Sequence, residues 1–118
     1  MGVKNFEDLI CWNKAQDLSV NIYTTFSSLN DYAFKDQIQR ASVSISNNIA
    51  EGSERTTKEF ARFLSISKSS CNEVKSLLFL AERLNYINKE QKIELINKST
   101  EVIKIIQGLK TSIEKKIS

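Results

Sequence analysis

Proline is absent from all 118 residues, and glycine occurs only three times. Tight turns depend on those two residues, so a fold made of many short strands and hairpins is disfavoured. The expectation is a few long helices joined by short links. The chain is long enough for one domain, and hydrophobic residues at 41% with charged residues at 26% match a globular composition.

Apolar periodicity predicts four helices. The first covers about 8–26, with Trp12, Ala15, Ser19, Ile22 and Phe26 on one stripe and Leu9 and Leu18 widening it. The cluster Ser27-Ser28-Leu29-Asn30-Asp31 reads as a loop. The second covers about 34–51, along Phe34, Ile38, Ala41, Ile45 and Ile49, and Gly52 then suits a left-handed residue closing the helix. The third covers about 57–84 and opens with Thr56 and Glu59 spaced as a capping box. Its apolar face is wide enough to ask for more than one packing neighbour. The fourth covers about 89–114, with Asn88 as cap and Gln91 as its box partner, and Gly108 inside it costs about 1 kcal/mol against alanine. A close helix approach or fraying would account for that glycine. Such helices with short links pack as antiparallel neighbours, giving an all-α, up-down-up-down four-helix bundle in a single domain.

Chemistry is narrowed mainly by what is missing. Histidine is absent, and with it the usual general base and the commonest zinc ligand. Cys11 and Cys71 fall among apolar neighbours and read as buried thiols; two cysteines without histidine make no four-ligand zinc site. Glu51 and Glu73 lack any partner motif for acid–base work, so no enzyme, cofactor or metal is expected. The start shows no signal peptide and no apolar run approaches the span of a bilayer, so the expected location is the cytoplasm, with no membrane partner.

Two polar features stand out. Gln37, Arg40, Ser44, Asn47 and Glu51 recur at helical spacing on the second helix, with Asn48 beside them. Ser and Asn are weak helix formers, and their use in place of Lys and Glu suggests short side chains hydrogen-bonding a facing surface. The charge of +3 is uneven: residues 1–51 carry four basic and six acidic side chains, residues 52–118 thirteen and eight. Around the start of the third helix stand Arg55, Lys58 and Arg62, with Lys68 further along. With Arg40 they are the candidate contacts for nucleic-acid phosphates.

Phe6-Glu-Asp-Leu9, Trp12-Asn-Lys-Ala15, Gln37-Ile-Gln-Arg40-Ala41, Ser44-Ile45 and Asn48-Ile49-Ala50-Glu51-Gly52 together resemble a known family. Arg55, Glu59, Phe63-Leu64, Ser70 and Glu73 continue the likeness. The family is the four-helix-bundle proteins encoded in intervening sequences of 23S rRNA genes, sometimes labelled ribosomal proteins. It is similar to the accessory protein of diversity-generating retroelements. The sequence departs from it at Ser69, where the family has glycine, and in lacking the proline of the first loop. The resemblance implies a ring-forming homo-oligomer, usually a pentamer, in which the Ser/Asn/Glu seam through Gly52 is a subunit contact or a buried network. It also implies RNA or DNA as partner, and a protein such as a reverse transcriptase. The function expected is non-enzymatic binding of structured RNA or DNA through basic residues; a protein-interaction scaffold without nucleic acid is the alternative.

Overall fold

The computed structural model describes residues 5–117. Within them the chain is all-α, with no strands: a 3-10 turn at Phe6–Asp8, then α1 (Ile10–Thr25), α2 (Tyr32–Ser53), α3 (Thr57–Arg83) and α4 (Lys89–Ile117). The helices meet in a closed cycle, α1 on α2, α2 on α3, α3 on α4 and α4 on α1, in a body of 46 × 20 × 19 Å.

Local chemistry sets most helix ends. At α3 the Thr56 hydroxyl accepts from the Glu59 N–H at 3.2 Å while the Glu59 carboxylate accepts from the Thr56 N–H at 3.4 Å. At α4, Asn88 Oδ1 accepts from the Gln91 N–H at 2.8 Å and Gln91 Oε1 accepts from the Asn88 N–H at 2.9 Å. Both expected capping boxes are present. The end of α3 is a Schellman closure. Asn85 takes a left-handed conformation (φ 62°), the Tyr86 N–H reaches the Ala81 carbonyl at 2.8 Å, and the Asn85 N–H reaches that of Glu82 at 2.9 Å.

Four boundaries differ from the sequence expectation by two residues or more, one of them the end of α4, which runs to Ile117 rather than stopping at about 114. The first helix begins at Ile10, because Leu9 is extended (φ −79°, ψ 130°). The turn before it is tied back by Asn13, which donates to the carbonyls of Glu7 and Leu9, and by Phe6 edge-on to Trp12. The second begins at Tyr32, because Asp31 is a helix cap that accepts from the Phe34 N–H at 3.1 Å. Its far end runs on to Ser53, since Gly52 has no positive φ and stays helical. Gly52 therefore does not close the helix. It is buried, and a methyl group there would lie 2.5 Å from Phe63 Cβ and 3.0 Å from Phe60 Cδ1. The glycine lets α2 and α3 approach.

Gly108 is the opposite case. Nothing lies within 4 Å of where its Cβ would stand, and α4 continues past it to Ile117, so neither close approach nor fraying explains it. Gly108→Ala should raise the unfolding free energy by about 0.5–1 kcal/mol through helix propensity alone. A higher urea midpoint with an unchanged slope would show it; a lower midpoint would mean that the glycine conformation is needed.

One contiguous apolar cluster runs through all four helices, with Leu18, Ile22, Ile38, Ile45, Ile49, Leu64, Leu78 and Ile106 at no more than 1% exposure. Between these large side chains lie buried serines. Ser67 Oγ donates across the helix pair to the Ile45 carbonyl at 2.8 Å, and Ser46 Oγ accepts from Gln16 Nε2 at 2.9 Å, joining α1 to α2. Ser42 and Ser99 return their hydroxyls to carbonyls of their own helices. Cys71 Sγ contacts the Ser99 carbonyl at 3.3 Å, linking α3 to α4. Each buried hydroxyl named here is thereby partnered, so the desolvation penalty is small.

Candidate phosphate-binding cleft

The polar seam of α2 faces its own chain at its centre. Ser44 Oγ lies 3.0 Å from Ser70 Oγ on α3, and Asn48 Nδ2 donates to the Ser44 carbonyl at 2.8 Å and to its hydroxyl at 3.0 Å. Ser44, Asn48 and Ser70 are half-buried, whereas Gln37, Arg40, Asn47 and Glu51 are exposed. Short side chains here do make fixed hydrogen bonds, as their poor helix propensity suggests, and the partner at this point is α3. On the same flank of α3, Ile66, Leu80 and Leu84 are each about two-fifths exposed (39, 43 and 44%).

The candidate basic residues divide into three places. Arg40 sits in the first half of α2, bonded to Asp36 at 2.8 Å and 80% exposed. It lies 15 residues before Arg55, at the other end of the helix, so the structure does not bring it to the others. Arg55, Lys58 and Arg62 gather where α3 begins. Arg55 is paired with Glu51 at 2.8 Å, which raises its pKa further, so it stays cationic. Arg55 and Arg62 each place the guanidinium carbon 5.3 Å from the centre of the Phe63 ring. One aromatic ring thus holds two arginines, through the attraction of a cation to a π face. That ring is itself fixed beneath Gly52, so the close approach of α2 and α3 also places the two guanidinium groups.

Lys58 and Arg62 line one cleft of about 380 Å³, between the start of α3 and the end of α4. Ala61, Ser65, Lys110, Glu114 and Ile117 complete its walls. Lys110 bonds to Glu114 at 2.8 Å, whereas Lys58 and Arg62 have no carboxylate partner among the described residues. Lys68 is two turns further along α3, and its ammonium group is held by Gln107 Oε1 of α4 at 2.6 Å. Sequence reading passed over Lys110. The signal was available in part, because an antiparallel α3–α4 pair brings the last turns of α4 to the first turns of α3.

The remaining chemistry is spare. Burial pushes the Cys11 thiol up to about 11 and the Cys71 thiol up to about 12, so both stay protonated. They are free and buried. Among the described residues no three His, Cys, Asp or Glu side chains gather where they would hold a metal ion, and no helix is long and apolar enough to cross a membrane.

No curated protein matches the chain. Among solved structures it is similar to a protein of unknown function from the S23 ribosomal protein family of Bacteroides thetaiotaomicron, at 28% identity and a TM-score of 0.79. That likeness covers 85% of this chain and 97% of the other. The cleft and the seam lie on a fold shared with that protein, and the model of the 23S rRNA-intervening sequence protein family matches residues 7–108; the chain belongs to this family.

Proposed function

We propose that this protein is a non-enzymatic nucleic-acid-binding module of the cytoplasm. In this reading its helices form an up-down-up-down bundle, copies of the chain assemble into a ring, a pentamer, and each copy offers cations to the phosphates of structured RNA or DNA. The observation that carries the reading is the convergence of Lys58, Arg62 and Lys110 on one cleft, with Arg55 steadied beside them by Phe63. Lys58 and Arg62 are free to take a phosphate oxygen in place of water, and contacts of that kind read backbone shape rather than base sequence. A ring multiplies the charge of +3 per chain by the number of copies, which turns a modest field into a sizeable one. The uncovered Ile66, one turn from Ser70, and Leu80 and Leu84 at the far end of α3 supply apolar surface for contact between copies. The absence of histidine and the two protonated, buried thiols agree with a module that performs no catalysis.

The test is fluorescence anisotropy of a labelled, structured RNA against salt. Affinity should fall with rising salt, and the logarithmic slope counts the phosphates neutralised. Lys58→Ala with Arg62→Ala should weaken binding by about tenfold or more and flatten that slope by about two. Wild-type protein that binds neither structured RNA nor DNA at low salt would overturn the reading and leave a scaffold for a partner protein, such as a reverse transcriptase.

A further inference from the structure

Gly108 weakens its helix, and no contact within the chain accounts for it. It lies exposed at the mouth of an apolar hollow between α1 and α4, walled by Leu9, Ile10, Cys11, Ile105 and Leu109. Ile10, beside it, is 67% exposed. A glycine that leaves a gap in an apolar surface suits a side chain arriving from outside.

The matching ridge lies across the bundle. In the cycle of helices the α1–α4 face is opposite the α2–α3 face. Ile66 stands one turn from Ser70, which meets Ser44 of α2, so it projects on that opposite face. Three contacts between α3 and α4 set heights along the bundle: Lys68 with Gln107 at 2.6 Å, Cys71 with the Ser99 carbonyl at 3.3 Å, and Glu82 with Lys92 at 3.0 Å. Later residues of α3 are thus level with earlier residues of α4. Ile66 comes level with the turn that holds Gly108. Leu80, fourteen residues on, comes level with Ile93, which is fifteen residues before Gly108 and 45% exposed. Both spans are about 21–23 Å. Between these apolar points Glu73 stands on the ridge, and Lys104 stands one turn before Gly108. Both are exposed, and neither has a partner of opposite charge among the described residues. With Ile66 set level with Gly108, their heights differ by about 5 Å, which a lysine side chain spans.

We infer that the α1–α4 face receives the α3 ridge of a second copy of this chain. Ile66 of one copy fills the hollow at Gly108 of the next, Glu73 pairs with Lys104, and Leu80 covers Ile93. This rests on the ring of the proposed function and names its interface; nucleic acid has no part in it. Two different faces meet, so every copy keeps one of each for its neighbours, and repetition gives a ring where the rotation closes.

Sedimentation velocity over a range of protein concentrations reads the assembly. Gly108→Leu fills the hollow while adding helix propensity, so the separate chain stays folded, which circular dichroism checks. It should raise the concentration for half-assembly by about tenfold or more, as should Ile66→Glu. Glu73→Lys and Lys104→Glu should each weaken assembly by about threefold, and the two together should restore it. Position is tested by mixing Ile66→Cys protein with Gly108→Cys protein under oxidation, the native Cys11 and Cys71 being buried. A disulfide should form in the mixture and in neither variant alone. A cross-link within the Ile66→Cys protein alone would reveal a two-fold contact and overturn the inference. Assembly unchanged by Gly108→Leu and Ile66→Glu, with no cross-link in the mixture, would overturn it and leave the ring to another interface. Wild-type protein that stays a single chain at every concentration would overturn the inference and the ring together, and would leave RNA binding by the single chain to its own test.

Discussion

Gly52→Val lowers the unfolding free energy by about 3 kcal/mol, the upper part of the range for overpacking a closely packed site. At this chain length that is a drop of about 10 °C or more in the thermal midpoint. The clash begins at the first added carbon, 2.5 Å from Phe63 Cβ. A Cβ atom moves only with its backbone, so α3 must shift as a body, and a branched side chain adds two further carbons in the same place. Gly52→Ala meets the same Phe63 Cβ but regains about 1 kcal/mol of helix propensity, so its loss is smaller. Thermal unfolding followed by circular dichroism measures both variants beside Gly108→Ala, which should move the midpoint the other way. A Gly52→Val protein with an unchanged midpoint would mean that α2 and α3 are further apart at this level than described. Because the same contact seats Phe63 under two arginines, Gly52→Val should also weaken RNA binding below its midpoint.

Phe34→Ala is the second large effect, at about 3–4 kcal/mol, within the range for emptying a buried aromatic site. Phe34 is 6% exposed and stands between two rings, with Phe26 at 5.8 Å and Tyr86 at 5.3 Å between centroids. It joins the end of α1 and the start of α2 to the link between α3 and α4. Beside it the Tyr86 hydroxyl donates to Asp31 Oδ2 at 2.6 Å. That bond, with the Phe34 N–H, holds the Asp31 carboxyl below its usual pKa. The substitution keeps the backbone N–H and hence the cap, so the loss reports the aromatic contacts alone. Urea titration measures it, and a loss below about 1 kcal/mol would mean that the neighbouring rings collapse into the space. RNA affinity at low temperature should stay as in wild type, since the cleft lies at the opposite end of the helices.

What the sequence disclosed follows how far apart the cooperating residues are. The capping boxes of Thr56 with Glu59 and Asn88 with Gln91 span three residues, and each was legible by itself. The apolar stripes were legible because helical periodicity is local. Gly52 was misread because a glycine before Ser-Glu-Arg looks like a helix terminator, while the side chain that requires it, Phe63, comes eleven residues later. Asp31 was hidden at the end of a polar cluster that reads as loop. The burial of Ser42 and Ser46 was invisible as well: Ser42 returns its hydroxyl to its own helix, and the residue that meets Ser46 from across the helix pair, Gln16, stands thirty residues earlier. At the cleft, Lys58 and Arg62 were named from their place on α3. Lys110 and Glu114 reach it from a helix about fifty residues later, and only the packing of α3 on α4 brings them there.

The cycle of helix contacts has one weak link. Three of its four interfaces join helices consecutive in sequence, and the fourth, between α1 and α4, closes the cycle with the sparsest contact. It holds an exposed ion pair, Lys14 with Glu101 at 3.7 Å, and a concavity lined by Leu9, Ile105 and the open Gly108. Forming it joins the two helices furthest apart in sequence and carries the largest loop-closure penalty, so it is expected to assemble last. In the folded protein the same seam is where partial opening is expected to begin, with α1 loosening while α2, α3 and α4 stay packed. Amide protons of α1 should accordingly exchange with solvent through a lower-energy opening than those of α3, which is packed on both sides by sequence neighbours.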